Sequence, residues 1–97
     1  MPAYVIARVN VTNPEQYDKY RAVTPGAVAA FGGRFIVRGG EMETLEGPEE
    51  TRRVVVIQFD SMDQARAFYN SETYQAAIKL REPASEAQLI LVDGHEG

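Results

Sequence analysis

Arg52-Arg53-Val54-Val55-Val56-Ile57-Gln58-Phe59 is the stretch that decides the fold. It is dense in β-branched side chains and follows a turn, Gly47-Pro48-Glu49-Glu50, so it reads as a strand. Alternation along it leaves Val54 and Val56 on one side and Val55 and Ile57 on the other, so both faces are apolar.

Upstream of the turn, a second strand begins near Arg34, with Phe35 and Val37 opposite Ile36 and Arg38. Gly39-Gly40 is predicted to form a β-bulge, with Glu41–Glu46 continuing the strand beyond it. Before that lies a helix. Asn13 caps it, Pro14 suits its first position, and Tyr17, Tyr20, Thr24, Ala27, Val28 and Phe31 share one face. Pro25-Gly26 is expected to kink or interrupt this helix, and Gly32-Gly33 to end it. Residues 3–11, AYVIARVNV, alternate as a first strand, with Val5, Ala7 and Val9 opposite Tyr4, Ile6 and Arg8.

Downstream, Ser61-Met62-Asp63-Gln64 is a capping box that opens a helix with Met62, Ala65, Phe68 and Tyr69 inward. Asn70-Ser71 interrupts it. Ser71 caps a further helix carrying Tyr74, Ala77, Ile78 and Arg81, which Pro83 stops. Ala87–Asp93 is the last strand, and Gly94–Gly97 is expected to be a flexible tail. The order β-α-β-β-α-β is the ferredoxin-like unit. Right-handed crossovers put the third strand between the first two and the first strand between the third and fourth. The fold class expected is α+β: a four-stranded antiparallel sheet with helices on one face, all 97 residues forming a single domain.

Helices on one face leave the other face to water or to a partner. The apolar runs Val54–Ile57 and Leu89–Val92 are greasy on both sides. Wetting about four such side chains would forfeit roughly 1.5–3 kcal/mol each. A second copy packed sheet to sheet removes that cost and yields a homodimeric α+β barrel. Cover from the tail or from the 41–50 segment is the alternative.

Composition narrows function by exclusion. Lys+Arg number 10 against 14 Asp+Glu, a net charge of −4 that argues against nucleic acid as a partner. With no Cys there is no thiolate nucleophile or Cys-type metal site, and the single His, His95, precludes a multi-histidine centre. No apolar run approaches the ~20 residues of a membrane span, and Met1-Pro2-Ala3-Tyr4 lacks a basic leader, so no membrane is expected and a cytoplasmic location is. His95 lies in the Gly-flanked tail and reads as solvated rather than catalytic. Glu41, Glu43, Glu46, Glu49 and Glu50 lack calcium-loop spacing and read as a solvated edge, not a metal site.

The chemistry-bearing candidates are arginines. Arg8 and Arg38 near the ends of their strands, and Arg52 at the start of the third, are expected at one sheet edge. They are expected on the face away from the helices, with Ile6, Ile36, Val54, Val56 and Leu91. Guanidinium groups rimming an apolar cavity suit a carboxylate, enolate or phosphate. Gln58 and Tyr4 lie at the far end of that face, and Tyr69 and Tyr74 flank the helix break. Pairing of these arginines with Glu41, Glu43, Glu46 or Glu50 is the structural alternative.

Phe31–Gly40 (FGGRFIVRGG), Leu45-Glu46-Gly47, Phe59-Asp60-Ser61-Met62, Ala65–Tyr69, Ser71-x-x-Tyr74-Gln75 and Arg81 together resemble a small bacterial family known as domain of unknown function 1330. The resemblance runs from Tyr4 to Gly94; Phe68 stands where Trp is common, and Glu72 where Pro often follows the serine. It implies a ferredoxin-like fold of the dimeric α+β-barrel type and no particular activity. Cofactor-independent monooxygenases, muconolactone isomerase-like enzymes, stress-responsive barrels and haem-binding proteins share that architecture by fold alone. The absence of a histidine in any strand or helix counts against haem, and no cofactor is expected. The expectation is a homodimer that binds a small anionic or carbonyl-bearing organic ligand between sheet and helices, with a cofactor-independent isomerase- or oxygenase-type activity open to it. The alternative is a non-catalytic dimerisation or stress-associated protein with a packed interior.

Overall fold

The computed structural model describes residues 1–96. Strand β1 spans Ala3–Val11, helix α1 Pro14–Ala30, β2 Arg34–Arg38, β3 Arg53–Phe59, α2 Met62–Tyr69, α3 Glu72–Arg81 and β4 Ser85–Asp93, with one turn of tighter helix, Glu82–Ala84, before β4. The sheet runs β2-β3-β1-β4 with every neighbour antiparallel. This is the expected ferredoxin-like fold. Each helix begins at a predicted cap: Asn13 Oδ1, Ser61 Oγ and Ser71 Oγ accept the backbone N–H of Gln16, Gln64 and Tyr74 at 3.2, 3.1 and 3.2 Å. Such caps satisfy amides the helix cannot satisfy itself.

The core fills the gap between helices and sheet. Ala3, Val5, Ala7 and Val9 of β1 and Val55, Ile57 and Phe59 of β3 are buried against Ala27, Val28, Phe68 and Ile78. Phe59, Phe68 and Tyr74 stack in series, with ring centroids 5.0 and 4.4 Å apart. Tyr69, expected inward, is 42% exposed at the end of α2.

The molecule is a slab of 35 × 33 × 16 Å, one helix layer on one sheet. On its bare face Ile6, Val56 and Ile90 lie in register across three strands, with Val37 beyond Val56. Val37, Ile90 and Val92 are each about 40% exposed. Leu91, expected on this face, pairs with Val5 and so points to the helices.

Three local expectations give way. First, α1 passes through Pro25 without interruption. Proline forfeits the bond to the Arg21 carbonyl one turn back, and the Arg38 guanidinium takes that carbonyl instead, Nη2 donating at 3.3 Å. Second, the bulge falls at Ile36, not at Gly39-Gly40: Phe35 opposes Ile57, Val37 opposes Val56, and Ile36 has no partner. Third, Glu41–Glu46 form no strand. Gly39 adopts φ +71, its N–H donates to the Val54 carbonyl at 2.9 Å, and the chain turns out of the sheet. The positive φ calls for glycine, and a side chain there would also displace the tip of Arg53. The 39–52 segment that follows is an exposed arm carrying Met42 and Leu45, the latter 85% exposed.

Of the expected tail, Gly94 is tied down by its N–H to the Pro2 carbonyl at 2.7 Å, and Gly97 lies outside the described residues. No helix among the described residues is long and apolar enough to cross a membrane.

Candidate functional site

Because one bulged residue reverses every side chain beyond it, Arg38 opposes Val55 and lies on the helix face. Arg8 opposes Val54 on the bare face, so the two arginines do not share a surface as expected. Arg8 and Arg52 instead share the partly exposed Glu50. Its carboxylate takes Arg52 Nε at 3.0 Å, Arg52 Nη2 at 3.0 Å and Arg8 Nε at 3.3 Å. These hydrogen bonds from Arg52 hold the Glu50 carboxyl below the usual carboxylate range. Gln58, also on the bare face, accepts Arg34 Nη2 at 3.4 Å.

Arg38 joins a different group. Under α1 and α3, against the helix face of β1 and β3, lies a chamber of about 30 Å³. Arg38, Arg53, Arg81, Tyr20, Thr24 and Tyr74 are among its polar lining residues, which also include Tyr17 and Arg21, with Val55, Ile57 and Leu89 among its apolar walls. Arg53 enters because Val55, Ile57 and Phe59 fix the phase of β3, and Arg53 then pairs with Val9 on the core side. Arg81 enters because it ends the buried stripe Tyr74, Ala77, Ile78 of α3. Of the three, only Arg81 was placed inward from its helical stripe; Arg38 was expected on the other face, and Arg53, missed from sequence, carries no signal beyond its alternation with Arg52.

Arg38, Arg53 and Arg81 have no carboxylate partner among the described residues. The Nε–H groups of Arg53 and Arg81 are shut off from solvent without an acceptor. Arg81 is only 9% exposed and lies over the Tyr20 ring at 5.5 Å, and Arg38 lies over the Phe35 ring at 4.4 Å. Burying an unmet charged donor is costly, so native proteins rarely keep one without a partner.

Tyr20 and Tyr74 share a hydroxyl–hydroxyl bond of 2.6 Å. Burial raises the pKa of both, reinforced at Tyr20 by the neighbouring Tyr74 hydroxyl and opposed at both by Arg81. Both stay protonated at neutral pH, and one proton of the pair remains to be donated. The lining contains no His, Asp, Glu or Lys. The chamber can therefore hold and stabilise an oxyanion, but it has no side chain suited to removing a proton near neutrality. No group of three or more metal-ligating side chains occurs among the described residues.

Tyr69 stands elsewhere. With Ala65, Arg66, Leu89, Ile90, Leu91 and Val5 it lines a second, open chamber of about 200 Å³ between α2 and β4. Of the six residues singled out from sequence, Arg38 and Tyr74 thus meet in the first chamber, Tyr69 borders the second, and Arg8, Arg52 and Gln58 face the other way.

Solved structures share this fold at low identity. A protein of unknown function from Rhodopseudomonas palustris, RPA0582, matches with a TM-score of 0.78 and 19% identity over 99% of this chain and 84% of its own. A dimeric ferredoxin-like protein of unknown function from Jannaschia sp. CCS1 matches with a TM-score of 0.74 and 13% identity over 97% of this chain and 100% of its own. SnoaB, a cofactor-independent oxygenase from Streptomyces nogalater, matches with a TM-score of 0.72 and 14% identity over 99% of this chain and 95% of its own. No curated protein matches the sequence. A family model, domain of unknown function DUF1330, spans residues 2–95. On that match, which agrees with the motifs around Phe31–Gly40 and Phe59–Tyr74, the chain belongs to the DUF1330 family.

Proposed function

We propose that the chain acts as a homodimer joined through its bare sheet face, and that each subunit binds a small organic molecule by an anionic or carbonyl oxygen. The binding place is the chamber under α1 and α3, with Arg38, Arg53 and Arg81 supplying charge and the Tyr20–Tyr74 pair supplying a neutral donor. The observation that carries this reading is the orphaned Nε–H of Arg81, in a side chain 9% exposed. An acceptor oxygen in the chamber would meet that need. An isomerase- or oxygenase-type reaction, as in the cofactor-independent oxygenase of like fold, would draw on oxyanion stabilisation here, with proton transfer left to the substrate or to water. The dimer rests on the exposed apolar strand residues and on the similar structures described as dimeric.

The rival is a non-catalytic dimerisation protein with a packed interior, and the modest 30 Å³ of the first chamber favours it. Thermal-shift titration with formate, acetate, benzoate and phosphate separates the two. Ligand binding predicts a concentration-dependent rise in Tm that Arg81→Gln abolishes. No rise for any of the four, together with native mass spectra free of retained small molecules, would establish the rival.

A further inference from the structure

The two chambers differ in size and chemistry, and they adjoin. Val5 and Leu89 wall both, and the Tyr69 ring of the second lies 5.7 Å from the Tyr74 ring of the first. The first, at about 30 Å³, has room for about two water-sized groups. That fits the two oxygens of a carboxylate and no carbon skeleton worth the name. The second, at about 200 Å³, exceeds the ~150 Å³ hydrocarbon cavity that accepts a benzene ring. Its walls Val5, Ala65, Leu89 and Leu91 are aliphatic, with the Tyr69 ring and the exposed Arg66 at its edge.

We infer that the ligand is an amphipathic monocarboxylate whose head meets Arg53 and Arg81 while its hydrocarbon body occupies the chamber between α2 and β4. This rests on the reading of the first chamber given above and adds the class of molecule. A free inorganic anion would use only the small chamber and leave the aliphatic one unfilled. A polar polyanion would have to place charge against Leu89 and Leu91, where the one cation, Arg66 at the edge, is already paired with Asp63 at 3.0 Å.

The test titrates the wild-type protein calorimetrically with acetate, butanoate and hexanoate, and with hexanol as a chain lacking the head. The expected result is an affinity that climbs about fourfold per added methylene, hexanol binding far more weakly than hexanoate. Arg81→Gln should weaken acetate and hexanoate by the same factor, whereas Leu91→Trp, filling the second chamber, should weaken hexanoate alone. Equal affinity for acetate and hexanoate, still dependent on Arg81, would overturn the two-chamber inference and leave the anion site standing. Hexanol binding as well as hexanoate, or no carboxylate binding at all, would overturn both. The chain-length series on the unaltered protein decides the matter even if Leu91→Trp fails to fold.

Discussion

If Arg81 is kept for a ligand and not for the fold, then Arg81→Met should make the unliganded protein more stable. Four terms set the balance. The unmet Nε–H costs about 1–3 kcal/mol, and methionine removes it while preserving an unbranched stem of similar reach. Against this, the cation over the Tyr20 ring at 5.5 Å is lost, worth about 0.5–2 kcal/mol. So is a positive charge in the last turn of α3, worth about 0.3–1 kcal/mol. The thioether, as buried as the arginine was, adds apolar transfer energy that the guanidinium could not supply. The first three nearly cancel at their midpoints, so the transfer term, about 1 kcal/mol, sets the net gain, which in a domain this small raises Tm by about 4–8 °C. Thermal unfolding followed by circular dichroism, at matched protein concentration so that dimerisation does not contribute, measures it. The same variant should lose any carboxylate-induced rise in Tm. A fall of several degrees would refute the reasoning, because it would mean that Arg81 holds the helices together and its orphaned nitrogen is satisfied within the fold.

Other expectations follow from the same geometry. Tyr20 and Tyr74 have raised pKa values in the folded protein, so above about pH 10 the unfolded chain ionises first. Stability is then intact below pH 10 and declines above it, by up to about 1.4 kcal/mol per pH unit for each tyrosine; Tyr20→Phe should roughly halve that slope in urea titrations between pH 9 and 11. Pro25→Ala restores an N–H to compete for the Arg21 carbonyl that Arg38 now occupies. It should raise helix stability by up to about 3 kcal/mol yet weaken ligand binding by freeing Arg38, and a variant whose binding is unchanged would dissociate Arg38 from the site. Ile90→Arg places a charge in the middle of the bare sheet face. Sedimentation at micromolar concentration should then give single subunits, and an intact dimer would move the interface elsewhere.

How much of this the amino-acid order disclosed depends on the scale at which it is read. The eight residues from Arg52 to Phe59, the caps at Asn13, Ser61 and Ser71, and the two apolar faces of the sheet are period-and-propensity signals that each residue's neighbours reinforce. They sufficed for the topology β2-β3-β1-β4. The site turned on features with no such redundancy. A bulge needs one unpaired residue, and either Ile36 or Gly39 could have supplied it by composition. Glycine was the natural guess, but Gly39 serves a left-handed turn with Arg53 against its bare Cα, and the slip falls three residues earlier. That one-residue difference carries Arg38 from the bare face to the chamber, while Arg8 and Arg52 remain behind with Glu50. Pro25 works in the same direction. Read locally it is a helix breaker; in the fold it vacates the carbonyl that anchors Arg38 at 3.3 Å. Two local irregularities thus converge on one guanidinium. That placement is what the proposed anion site draws on, and it is why Pro25→Ala, which touches neither chamber's apolar walls, is expected to reach the ligand through Arg38 alone.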